Sequence, residues 1–213
     1  MIKLLRVFWR IMLRKSSPEE LPGSNFLLLS TFVFFLLSQI PVGIRLYESL
    51  GEVFQLLFLD AILLSVWLRI IVQLSGKLDR FKQSLIALFG TGGLFNLMVG
   101  PFLFVYAPYL KELSSLDEIQ IPAWITLIIF IVTIWSVLVM AHIFSRAISK
   151  TPSVGLGLAL VYMLISFLIS SSISAPWIPE PDAHPYFGNQ RHIHGQFSCF
   201  SKRLRGYGYW FWS

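Results

Sequence analysis

Trp124-Ile-Thr-Leu-Ile-Ile-Phe-Ile-Val-Thr-Ile-Trp-Ser-Val-Leu-Val-Met-Ala-His-Ile-Phe144 contains no Asp, Glu, Lys or Arg, and it decides the fold class. A hydrocarbon core about 30 Å thick needs roughly 20 helical residues to cross it, because an α-helix rises about 1.5 Å per residue. Four more apolar runs, 26–44, 53–74, 85–107 and 154–175, have similar length and end at Pro, Gly or charge. With 124–144 they make five. The sequence therefore reads as all-α, a polytopic integral membrane helical bundle with five transmembrane helices.

Composition agrees. The 213 residues are 55% apolar and 13% charged, with a mean hydropathy of +0.70, which is too hydrophobic for an ordinary soluble domain. One membrane domain, 25–175, accounts for the bulk of the chain. The net charge of +6 comes from basic residues at helix ends, where anionic lipid and insertion topology explain them without nucleic acid. The single cysteine, Cys199, excludes an intramolecular disulfide.

The amino-terminal unit, 1–24, precedes the first span. Residues 2 to 14 form an amphipathic helix: at 100° per residue Lys3, Arg6, Arg10 and Arg14 fall on one face, opposite Leu5, Phe8, Trp9 and Met12. Such a helix is expected to lie flat in the interface, its apolar side in the acyl boundary and its Lys and Arg heads on anionic phosphates. Ser17-Pro-Glu-Glu20 reads as a helix start, and Pro22-Gly23 as a hinge. No small-residue cleavage site follows Ile44, so an uncleaved anchor is expected.

Counted by loop, Lys and Arg number five before the first span, one after it (Arg45), three after the second (Lys77, Arg80, Lys82), one after the third (Lys111) and two after the fourth (Arg146, Lys150). The alternation places the amino terminus in the cytoplasm of a cell with a multi-pass inner (plasma) membrane protein. Five spans then put 176–213 outside. That tail holds His184, His192, His194 and Cys199 and a Tyr207-Gly-Tyr-Trp-Phe-Trp212 ending, with neither helical nor strand periodicity and no ligand spacing of a closed metal site.

Polar groups at hydrocarbon depth are costly, so function is sought there. Asp60 lies about 10 Å inside the outer end of its span, and Ser38, Gln39, Gly100, Thr133, Ser166 and Ser170 fall at similar depth. Asp60, Gln39 and Asn96 are the candidate intramembrane polar site. Either Asp60 is hydrogen-bonded to Gln39 or a serine and holds helices together, or the layer carries a proton or ion in a small transporter. Arg69 and His142 lie near cytoplasmic ends, where snorkelling and packing explain them. Gly92, Asn96 and Gly100 repeat every four residues on one face, a helix-packing surface. Gly155-Leu-Gly157 lacks the context of a nucleotide loop. No nucleophile, base and orienter share a recognisable spacing, so neither an enzyme nor a cofactor is expected.

The run Leu74-Ser-Gly76-Lys-Leu-Asp-Arg-Phe81-Lys-Gln83 into the Gly-rich third span, and the run Trp135 to Ser149 before a fifth span, are similar to bacterial Yip-domain membrane proteins. The likeness covers about residues 15–175. It implies five spans, a cytoplasmic amino terminus, an external carboxyl end, and a role in binding protein partners or self-associating rather than in catalysis. The acidic motif that trafficking members carry near their first span is not found, and the resemblance transfers no functional residue.

Overall fold

The computed structural model describes residues 2–47, 49–112 and 123–173, and all regular structure among them is helical. Six α-helices follow in order: α1 (Ile2–Met12), α2 (Asn25–Leu46), α3 (Leu50–Leu74), α4 (Phe81–Glu112), α5 (Ala123–Ala147) and α6 (Pro152–Ile173). Single 3₁₀ turns at Pro18–Glu20 and Leu78–Arg80 lead into the second and fourth. Five helices, α2 to α6, are long and apolar enough to cross a membrane. The tail 176–213, with its His and Cys residues, and the loop carrying Glu118 lie outside the described residues.

The fold is built round α4. Half of its span is buried, 50% against 28% for α2, α5 and α6, and α1, α2, α3 and α5 all pack on it. Its small residues make this possible. A Cβ added to Gly92 would lie 3.0 Å from the Phe35 ring, and one at Gly93 2.5 Å from Phe34. Further along, Asn96 Nδ2 donates to Ser38 Oγ at 3.3 Å, and Val42 lies 3.7 Å from the Cβ position of Gly100. The pairs 92 with 35, 96 with 38 and 100 with 42 advance together, so α2 and α4 run parallel and the connecting α3 runs back.

The first span, read over 26–44, is α2, which holds Pro41 inside it and continues to Leu46. One backbone bond is lost there. Packing of Val42 along α4 and the close approach of Gly43 to Val53 of α3 hold the last turn in place. The segment at Ser17 is a single 3₁₀ turn, in which the Ser17 N–H donates to Glu20 Oε1 at 3.2 Å.

The second pair of helices closes more tightly still. A Cβ at Gly155 of α6 would collide with the carbonyl oxygen of Ala141, whereas one at Gly157 meets nothing within 4 Å. Gly155→Ala is therefore expected to destabilise the protein by about 1–3 kcal/mol through overpacking. Gly157→Ala, two residues away, should be neutral or stabilising by up to about 1 kcal/mol, since alanine favours helix over glycine. Thermal unfolding of the two purified variants in detergent checks this, and equal midpoints would contradict the packing.

Candidate functional site

Asp60 is where the sequence places the greatest cost, and the structure buries it at 1% exposure on α3. Its partner comes from α6. The Tyr162 hydroxyl donates to Asp60 Oδ1 at 2.8 Å, and Tyr162 is as deeply buried as the acid. Ser166 stands beside the same hydroxyl one turn on, and Ser170 follows at the same spacing, bonded to the Ser166 carbonyl at 2.8 Å. Tyr162, Ser166 and Ser170 form a buried polar stripe along α6, from which Tyr162 reaches α3. A phenol donating to a carboxyl in a dry setting is a strong interaction, and here it clasps two helices far apart in sequence.

The other candidates do not join this pair. Asn96 is taken by Ser38, whose own hydroxyl donates to the Phe35 carbonyl at 2.7 Å. Gln39 turns a buried Nε2 into the fold without a hydrogen-bond partner, and Thr133 bonds back to Ile129 at 2.7 Å. The expected polar layer is thus divided among the α2–α4 contact, α5 itself and the α3–α6 clasp. Tyr162 was missing from the sequence reading. Its signal is a tyrosine in the middle of a span, away from the interfaces where such rings usually sit, which implies a buried partner for its hydroxyl.

A cavity of about 40 Å³ lies between α2, α3, α4 and α5, bordered by Phe35, Leu64, Phe95, Val139 and Met140, with the hydroxyls of Thr91 and Ser136 at its wall. That is room for a few waters. Both hydroxyls already donate to carbonyls of their own helices.

The amino-terminal helix is placed differently from the expectation. Phe8 and Met12, assigned to the acyl boundary, are buried inside the protein with Ile11, and the Phe8 ring occupies the space that a side chain at Gly90 would need. Leu5, Trp9 and Leu13 remain exposed, as do Arg6, Arg10 and Arg14; the side chain of Lys3 lies outside the described residues. The physical reason is that α5 supplies donors to carbonyls at the last residue of α1 and just beyond it. Trp135 Nε1 donates to the Met12 carbonyl at 3.0 Å, and His142 Nε2 lies 3.1 Å from the Ser16 carbonyl. Beyond them Arg80 pairs with Glu19 at 2.6 Å and donates to the Arg146 carbonyl and Ser149 Oγ of the α5 terminus.

Arg69 is exposed and apart from Asp60. At the other end of the bundle Arg45 stacks over the Phe104 ring at 4.2 Å, and burial, with Glu52 nearby, raises the Tyr47 hydroxyl well above the usual tyrosine range. Among the described residues no three His, Cys, Asp or Glu side chains gather to hold a metal ion. Comparison with family models, curated proteins and solved structures finds no match to the chain.

If the α3–α6 clasp is a working contact, Tyr162→Phe should cost about 1–3 kcal/mol of stability by leaving a buried acceptor without its donor. Asp60→Asn should cost less, because an amide oxygen still accepts from the hydroxyl. A double-mutant cycle with both changes is expected to show a coupling of about 0.5–3 kcal/mol, and strict additivity would argue against the contact.

Proposed function

We propose that this chain is a multi-pass protein of the inner (plasma) membrane, amino terminus in the cytoplasm, that binds partners or organises the membrane without catalysing a reaction. One observation carries the reading: α1 is pinned by its inner face to α4 and α5, and offers Arg6 and Arg10 with Leu5 and Trp9 outward. A surface fixed in this way is suited to presentation. The Lys and Arg distribution and the resemblance to Yip-domain proteins support the same orientation and role. A small transporter is the second reading, favoured by the burial of Asp60 at hydrocarbon depth. Against it, the acid is engaged by Tyr162.

Crosslinking and affinity recovery of the intact protein from its native membrane separates the two. A Trp9→Ala, Arg10→Gln variant should lose recovered partner or self-association severalfold, while Asp60→Asn should recover it as the unaltered chain does. A proton or solute flux in reconstituted vesicles that depends on Asp60, with unchanged recovery in the Trp9, Arg10 variant, would replace this reading with transport.

A further inference from the structure

Three helices end at the same side of the bundle, and all three end in the same way. At α1 the Lys15 N–H bonds the Arg10 carbonyl and the Arg14 N–H that of Ile11, both at 2.8 Å. At α3 the Lys77 N–H bonds Val72 and Gly76 bonds Gln73; at α5 the Lys150 N–H bonds Ser145 and Ser149 bonds Arg146. In each, the pivot residue is left-handed, with φ of 58° at Arg14, 65° at Gly76 and 53° at Ser149. These are paired 6→1 and 5→2 closures of a helix carboxyl end. The residue after each pivot is a lysine: Lys15, Lys77 and Lys150.

Arg80 ties the turns of α3 and α5 to the segment that follows α1. Its N–H bonds the Lys77 carbonyl at 3.0 Å, while its guanidinium reaches Glu19 just beyond α1 and the Ser149 turn of α5. The contacts on this end also sort the charges. Glu19 is engaged by Arg80, Glu20 accepts from Ser16 Oγ and the Ser17 N–H, and Lys82 donates to Asn25. The three turn lysines make no side-chain hydrogen bond or ion pair among the described residues; Lys15 and Lys150 are exposed and Lys77 is partly so.

We infer that Lys15, Lys77 and Lys150 form a docking surface for the anionic headgroups of the adjoining leaflet, distinct from the arginine row of α1. The inference rests on the membrane reading above. Charge complementarity selects the occupant: ammonium groups carried on the turns where the amphipathic α1 and the apolar α3 and α5 end meet lipid phosphates first, and a negatively charged leaflet attracts each by about a factor of five in affinity. The competing explanation is that the lysines only balance the negative carboxyl ends of their helices.

The test uses the full-length protein in nanodiscs of mixed phosphatidylglycerol and phosphatidylcholine, with co-purifying lipid counted by mass spectrometry. The unaltered chain should enrich phosphatidylglycerol. Lys15→Gln, Lys77→Gln and Lys150→Gln together should weaken that preference by on the order of a hundredfold, about fivefold for each lysine, and the three Lys→Arg changes should preserve it. Unaltered preference in the glutamine variant, or loss of thermal stability with the preference intact, overturns the inference. So does the absence of any preference in the unaltered chain, with an acidic protein recovered instead. Alkaline extraction of native membranes tells the two levels apart: release of the chain into the supernatant defeats the membrane reading, whereas retention together with an unchanged lipid preference defeats the lysine surface alone.

Discussion

Close packing of aromatic side chains onto the glycine-lined faces of α4 is the constraint on which the rest depends. Lipid tails are as apolar as leucine, so helices in a bilayer gain little from hiding hydrophobic surface and must associate by contact quality. Gly92 and Gly93 let the rings of Phe34 and Phe35 sit against α4, and Gly90 does the same for Phe8 on a neighbouring side. Phe89 completes the arrangement with ring contacts to Phe32 and Phe35 at 5.3 Å each. One glycine-rich stretch thereby receives two different elements, α2 and the amino-terminal helix. With α2 and α4 parallel, α3 has to return on the outside of the pair, and this sets where Asp60 can find a partner.

What could be read from the sequence follows from which interactions have a period. Span length is fixed by bilayer thickness, so five apolar helices were legible from runs alone. The Gly92, Asn96, Gly100 repeat marked a packing face because four residues return to the same side of a helix, and it proves to be the face turned to Phe35, Ser38 and Val42. The Asp60 to Tyr162 bond has no such signature. It joins residues 102 positions apart, and nothing local to either names the other. The two sides of α1 were visible as well, but not their assignments. An amphipathic pattern reports that a side is apolar and not whether lipid or protein covers it, so Phe8 and Met12 could not be told from Leu5 and Trp9.

The docking of α1 is decided by polar groups instead. The turn that ends it satisfies the carbonyls of Trp9, Arg10 and Ile11, and for those of Met12 and Ser16 α5 offers two side chains seven residues apart, two turns along one face, at Trp135 and His142. A carbonyl oxygen can only accept, so the bond at Ser16 requires the hydrogen on Nε2 of the imidazole. Protonation of the ring would add a hydrogen at Nδ1 and leave Nε2–H in place. The bond to Ser16 can therefore form in either charge state of His142. The latch between the amino-terminal segment and α5 depends on the ring being present, on the indole N–H of Trp135, and on the ion pair of Arg80 with Glu19 that closes the segment at its far end. The same Arg80 fixes the ends of α3 and α5. The segment that follows the amino-terminal helix and the turns that end α3 and α5 thus share one anchor.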